Sequence, residues 1–329
     1  MSNENAVKRK LPMTAGVRNK LIALAVLAAI FIILNLILGG RFLTLTNIKT
    51  IVSHAVFPAF VAWGMIFIFT SGIVDLSLGA NVLLSANVGA ICAVSLGLGY
   101  VGLILGTILC AVICQHISCR CVVTLKIPSW IAGLGVALVF EAILSQYAAV
   151  RASGSGSSVI NLGDSYRALG QMPGLAILWL LGLVAAWLLY NRTSAGINIR
   201  AIGGNEAVAS AMGINKKKTL LVGALIGAVF IGVAAIVQLS YNSFVAPQSG
   251  LNSISTIFKA LATMLLAQSF SYIVSVPVGV FFSAIIVMAI FNVLTMFGVP
   301  SGTGQEICLG VIVILCGIMS QLKYKGVVK

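Results

Sequence analysis

Six acidic side chains occur in 329 residues, and that scarcity limits the chemistry open to the chain. Acid–base catalysis needs positioned pairs of titratable groups, and so few carboxylates leave little room for one. The two histidines, His54 and His116, supply no di-His metal site with an obvious partner. The cluster Cys114-Gln-His116-Ile-Ser-Cys119-Arg-Cys121 straddles an expected helix end and has no second ligand group elsewhere. Structural zinc prefers two such groups. Neither a Gly-x-x-x-x-Gly-Lys-Ser/Thr phosphate loop nor a Gly-x-Ser-x-Gly elbow is present, so neither nucleotide binding nor acyl transfer is written into a motif. The sequence therefore reads as a protein that is not an enzyme and carries no cofactor or metal.

The remaining polar residues stand in a strongly apolar chain. Sixty per cent of residues are hydrophobic and 8% are charged, against about 25% charged in a soluble domain. That excludes a soluble globular enzyme and a disordered chain. A charge at membrane depth costs at least a few kcal/mol, so each one needs a reason. Asp75 either shapes a pathway or gate, or caps a helix. Glu141, well inside an apolar run, either accepts hydrogen bonds from a hydroxyl-rich solute or holds two helices together. Lys259 and Glu306 sit near the outer ends of two expected spans and are a candidate ion pair. Asn87, Gln238, Asn242, Gln268 and Asn292 offer neutral donors and acceptors, which suit a hydroxyl-rich solute and equally suit interhelical contacts. Trp63, Trp130, Trp179 and Trp187 can stack on a ring, although interfacial anchoring accounts for Trp130 and Trp187.

A membrane crossing takes about 20 apolar residues. Ten candidates follow one another: 21–38, 51–71, 77–97, 100–118, 127–147, 172–190, 219–241, 254–273, 276–297 and 305–322. The expected fold is an all-α polytopic bundle of about ten transmembrane helices. It comprises a basic arm (1–20), a single membrane domain (21–322) and a basic tail (323–329). The first span resembles a signal peptide but lacks a small-residue cleavage pattern and reads as an uncleaved helix. The second and third are divided at Ser71–Ser77, where Gly72 stops one helix and Asp75 or Ser77 starts the next. Ten spans with a cytoplasmic N-terminus place fifteen of the twenty Lys and Arg on the inner side, the expected bias. Both termini are then cytoplasmic, and the net charge of +14 reflects inner loops and not nucleic-acid binding. Seven cysteines and 34 glycines suit close helix packing. The outer loop 148–171, with its Ser153–Ser158 run, reads as flexible.

The inner loop 191–218 has internal order. Ser194 can cap a short helix that stops at Gly203-Gly204. Asn205 can cap a second, with Glu206 at its positive end, and Gly213 supplies a left-handed stop. Ile197, Ile199, Ile202, Val208 and Met212 give the pair apolar surface, covered either by a partner or by the membrane ends of the same chain.

The run Thr193–Asn215, with its Ala201-Ile-Gly-Gly-Asn205 core and Ala211-Met-Gly-Ile214 end, resembles the cytoplasmic coupling loop of the ribose/galactose/xylose family of bacterial ABC-importer permeases. Gly72-Ile-Val-Asp-Leu-Ser-Leu-Gly79 is similar to that family's Gly-Ile-Asp-Leu-Ser-Val-Gly signature with Val74 added. Asn47 before the second span and Lys126-Ile-Pro-Ser-Trp-Ile131 add to the likeness, which covers about 40–320. The resemblance implies a ten-helix permease in the bacterial cytoplasmic membrane that pairs with a second copy. A separate ATP-binding subunit docks below, and an extracytoplasmic solute-binding protein delivers a monosaccharide. It assigns ATPase coupling to Arg200, Gly203, Gly204, Asn205, Glu206 and Gly213. Two segments depart from the family: Leu266–Tyr272 replaces a glycine-rich turn, and Glu141-Ala142 replaces an Arg-Gly pair. Nucleosides or branched-chain amino acids are the alternative cargo. An ion-coupled carrier using Asp75 and Glu141 is the alternative machine.

Overall fold

A computed structural model describes residues 29, 31–125, 127–271, 273–300 and 302–322. The basic arm 1–20, most of the expected first span and the tail 323–329 lie outside the described residues, as does Lys126. Every regular element among the described residues is helical: α1 (Leu45–Phe69), α2 (Leu78–Ala90), α3 (Gly99–Leu125), α4 (Ser129–Ser155), α5 (Gly174–Arg192), α6 (Ser194–Gly204), α7 (Glu206–Ala211), α8 (Lys216–Asn242), α9 (Ser255–Ser269), α10 (Val276–Met296) and α11 (Thr303–Leu322). A bilayer offers no water to backbone groups, so helices that bond internally are the natural spanning element.

Helices occupy each expected span within the described part. Seven of them, α1, α2 with its π-helical extension Ile91–Ser95, α3, α4, α5, α8 and α10, are long and apolar enough to span. Helix α9 has 15 residues, about 22 Å at 1.5 Å per residue, short of a hydrocarbon core about 30 Å thick. Helix α11 runs for 20 residues, and its apolar stretch is described over Thr303–Met319. For α9, hydropathy merges the helix with its apolar flanks, so the expected span 254–273 is longer than the helix Ser255–Ser269.

The chain divides after Ile48 into two compact units. In the first, residues 31–37 are helical, and the chain then turns at Gly39 and Gly40, both with positive φ. Asn35, the polar interruption of the first expected span, accepts the Leu43 N–H at 2.9 Å. Asn47 donates to the Phe42 carbonyl at 2.8 Å.

In the second unit, α8 is the central helix. It packs on α2 and α3, and its Gly223-x-x-x-Gly227 stripe lies against α1. A Cβ on Gly227 would come 2.8 Å from the Gly64 carbonyl oxygen, and one on Gly223 2.9 Å from that of Phe67. Small residues let two backbones meet this closely, which matters where lipid supplies no hydrophobic drive for helix association. Helix α5 approaches α1 through Gly182, whose Cβ would meet the rings of Phe60 and Trp63. Helix α9 packs on α10 and α11.

The outer loop is folded. Ser153 and Ser155 belong to the last turns of α4 and bond back to the carbonyls of Val150 and Arg151. Beyond them, Leu162 N–H donates to the Ser243 carbonyl at 2.9 Å, and Arg167 donates to that of Tyr241 at 3.1 Å. Gly170 lies on the backbone of Ser240 and Tyr241 with no room for a side chain. A serine–glycine run suggests freedom, but these tertiary bonds fasten the loop over the end of α8.

Replacing Gly227 with Val forces α1 and α8 apart. Thermal unfolding in detergent should show a loss of about 1–3 kcal/mol. Gly135→Val, at a position with no neighbour within 4 Å, is the control and should be close to neutral. Equal stability of Gly227→Val and the unmodified protein would contradict the close crossing.

Candidate functional site

The loop 191–218 is built as two capped helices. Thr193, not Ser194, is the cap of α6: its hydroxyl accepts the Gly196 N–H at 3.3 Å, and Ser194 is the first helical residue. Asn205 caps α7, with its side-chain oxygen 3.1 Å from Val208 N. At the far end Gly213 has φ of 83°. Its N–H bonds the Ser210 carbonyl and that of Ile214 bonds Ala209, the paired closure of a Schellman stop. Gly203 is required for a different reason: a Cβ there would overlap the Thr70 carbonyl at the end of α1. Gly204 faces open space. Glu206 takes the Lys216 ammonium at 2.7 Å on both oxygens. Arg200 reaches back to the Gly196 carbonyl, and its guanidinium lies 5.3 Å from the Tyr190 ring centroid.

This loop divides its apolar residues between two faces. Ile199 and Ile202 are buried, Ile199 against Gly223 of α8, so one face fastens the loop to its own membrane domain. Ile197, Val208 and Met212 are 50%, 54% and 76% exposed. The membrane-end reading of the sequence therefore holds for Ile199 and Ile202, and Ile197, Val208 and Met212 are left exposed.

Asp75 is 1% exposed and surrounded by donors. Its Oδ1 accepts the Ser77 N–H at 2.9 Å and the Ser77 hydroxyl at 2.7 Å. Its Oδ2 accepts Gln115 Nε2 at 2.7 Å and the Ser118 hydroxyl at 2.8 Å. Ser77 holds the cap position of α2 but makes no capping bond with its side chain; Asp75 covers its N–H instead. Asn81 continues the network by donating to the Ala111 carbonyl at 3.1 Å. The carboxylate thus braces the start of α2 against α3, with neutral donors dispersing its charge. Gly133 of α4 packs on the same segment, where a Cβ would lie 2.7 Å from Leu76 N.

Glu141 is 2% exposed and points at backbone. Leu251 N–H donates to Oε2 at 2.8 Å, and Ser253 N–H donates to Oε1 at 2.9 Å. Ser145, one turn on, donates to the Gln248 carbonyl at 3.1 Å. Helix α4 therefore clamps the turn leading into α9, where Leu251 has positive φ. Asn87 acts similarly, tying α2 to the Val245 carbonyl at 3.2 Å. Both Glu141 and Asn87 are buried and bonded to protein partners, as burial at membrane depth favours.

The expected Lys259–Glu306 ion pair is not formed. Both side chains line one cavity of about 680 Å³, yet the ion pairs among the described residues are Arg167–Asp164 and Lys216–Glu206. The Lys259 ammonium lies 4.6 Å from the Phe291 ring centroid instead. Glu306, on the exposed face of α11, stays apart from it. A second cavity of about 250 Å³ brings Lys259 together with His54, Gln238, Tyr241, Asn242, Ser255 and Thr256. A third adds Asn292, Thr295 and Gln305. Of the neutral candidates, then, Gln238, Asn242 and Asn292 reach this cleft. Gln268 is half-buried in the last turn of α9 and lines none of these three cavities.

The tryptophans expected to stack on a ring pack on the protein. Trp63 is buried and donates to the Pro277 carbonyl at 2.9 Å, and Trp179 stacks on Phe281 at 4.1 Å. Trp130 is exposed. Trp187 carries the Arg192 guanidinium at 5.2 Å. His54, Tyr241, Ser255 and Thr256 were not singled out as cleft residues by sequence: they come from three helices, and no spacing links them.

The described residues contain no group of three or more His, Cys, Asp or Glu placed to hold a metal. A family model described as branched-chain amino acid transport system / permease component matches residues 47–316. Relatives align over nearly their whole length. The xylose transport system permease protein XylH of Escherichia coli (strain K12) is 25% identical, covering 95% of this chain and 96% of its own. The ribose import permease protein RbsC of the same strain is 27% identical, covering 93% and 94%. Its galactose/methyl galactoside import permease protein MglC is also 27% identical, covering 92% and 93%. No solved structure matches the chain. The family match begins in α1 and ends in α11, taking in the loop, the two clamped carboxylates and the cleft; the chain belongs to the family of branched-chain amino acid transport system permease components.

Proposed function

We propose that this chain is the membrane subunit of an ATP-driven importer and forms the pathway for a monosaccharide. ATP hydrolysis takes place on a separate subunit, and the chain itself moves cargo by exchanging inward- and outward-open states. Relatives named for xylose, ribose and galactose support the cargo class. The observation that carries the coupling role is the two-faced inner loop. Ile199, Ile202 and Gly203 fix it to α8 and to the end of α1, while Ile197, Val208 and Met212 remain outside. A rigid, capped element with one anchored face and one free apolar face suits docking on a partner.

In this reading the loop 191–218 seats Gly204, Asn205 and Glu206, with Arg200, on the ATPase, and Gly213 fixes its exit. Push and pull on the loop reach α1 through the Gly203–Thr70 contact. The arm 1–20 and tail 323–329 lie on the cytoplasmic side, consistent with ten crossings in which α9 is completed by its apolar flanks. Two copies enclose the pathway, and an extracytoplasmic solute-binding protein delivers the cargo. Asn242 and Asn292, in the cleft around Lys259, stand along the route. Asp75 and Glu141 serve it by holding helix ends in place.

Val208→Asp and Met212→Asp change the outer face of the loop without touching its anchored face. Each is expected to reduce co-purification of the ATPase and solute uptake by about tenfold or more, with membrane insertion and thermal stability unchanged. Undiminished uptake in both variants would sink the docking role. Energy coupling offers a separate check. Uptake should persist when the proton gradient is collapsed and ATP is maintained, and should stop when ATP is depleted with the gradient intact. The reverse pattern would indicate an ion-coupled carrier.

A further inference from the structure

Three cavities meet at one cation. Lys259 lines the cavity toward α8, the one toward α11 and the one between α1 and α10. Among the described residues, no anion is supplied to it. Asp75 and Glu141 are filled by neutral donors. Asp164 and Glu206 pair with Arg167 and Lys216. Glu306 shares a cavity with Lys259 but makes no ion pair within the 4.0 Å that defines one. The ammonium is left over the Phe291 ring. A ring face stabilises a cation but accepts none of its three N–H bonds.

What surrounds this charge in the α8 cavity is neutral and rich in hydrogen-bonding groups. Gln238, Tyr241, Asn242, Ser255 and Thr256 line it with His54. The Gln238 Oε1 is buried and has no hydrogen-bond partner, so an acceptor there awaits a donor. Tyr241 reaches His54 at 3.4 Å, leaving the hydroxyl and ring nitrogen at the margin of hydrogen-bonding distance. The volume of about 250 Å³ is at the small end for ligand sites and suits a single sugar ring. The combination is one unpaired cation beside several hydroxyl-matching groups.

We propose that this cavity receives an anionic sugar, with Lys259 binding its carboxylate or phosphate and Gln238 and Asn242 binding its hydroxyls. The cargo is accordingly a sugar acid or a phosphorylated sugar, not a neutral aldose. This rests on the reading of the chain as a monosaccharide permease. Charge-assisted bonds from an ammonium to a carboxylate or phosphate are the stronger class of hydrogen bond, so Lys259 contributes selectivity that the amide groups cannot.

The test uses the full-length chain, purified with its co-purifying subunits into nanodiscs of zwitterionic lipid. Equilibrium binding of labelled glucuronate, glucose 6-phosphate and glucose is compared for the unmodified protein, Lys259→Met and Lys259→Arg. At least one of the two anions should bind about tenfold more tightly than glucose. Lys259→Met should abolish that preference, while Lys259→Arg should retain it. Equal binding of the anions and glucose, or a preference untouched by Lys259→Met, overturns the proposal. A parallel set of nanodiscs contains phosphatidylglycerol. If Lys259 retains that lipid while discriminating neither soluble anion from glucose, the anion is a headgroup and the cargo assignment fails. Absence of an ATPase from the purified complex would count against the importer reading alone, because the binding comparison does not depend on it.

Discussion

Inside a bilayer there is no water to complete an unfinished hydrogen bond, and the structure follows from how each polar group is satisfied without it. Main-chain groups are satisfied by helix formation. The buried carboxylates of Asp75 and Glu141 are satisfied by neutral donors of the protein: two serines, a glutamine and three backbone N–H groups between them. A carboxylate used in this way becomes a fastening. Asp75 fixes the break between α1 and α2 to α3, and Glu141 fixes the entry to α9. Two irregular segments that interrupt the helical bundle are thus each held by a buried acid.

The same solvent explains the glycines. Where helix contact yields little hydrophobic gain, close backbone approach replaces it. Gly64, Gly223 and Gly227 bring α1 and α8 together, and Gly182 brings α5 onto α1. Gly203 extends this chain of contacts to the inner loop, because its missing side chain lets α6 rest on the Thr70 carbonyl. Loop and bundle are therefore joined by a close contact between Gly203 and the Thr70 carbonyl. Rigid seating on one face and an open apolar face on the other are the properties expected of a lever.

Lys259 differs from the two buried acids, and it stands at the meeting of three cavities. Asp75 and Glu141 have every oxygen engaged by the protein. Around Lys259, hydroxyls, amides and a ring nitrogen are gathered with a cation that is unpaired among the described residues and an unmatched glutamine oxygen. The contrast between this cleft and the closed networks at Asp75 and Glu141 separates groups that hold the protein together from groups left for something else.

The sequence by itself determined the all-helical membrane fold, because long apolar runs interrupted by few charges form helices in lipid, where each segment must satisfy its own backbone. It also determined the loop's two helices, since Asn205 and Gly213 act through local geometry. Only the tertiary structure decided what Asp75, Glu141 and Lys259 do. The two acids depend on donors 40 to 112 residues away. Lys259 depends on the lack of an acidic partner across its cavities among the described residues. The length of α9 and the folding of the outer loop were decided there as well, because hydropathy and composition carry no record of where a helix ends against its neighbours. Charge and spacing name the residues that matter in such a chain; which of them are fastened and which are free is fixed only when the helices pack.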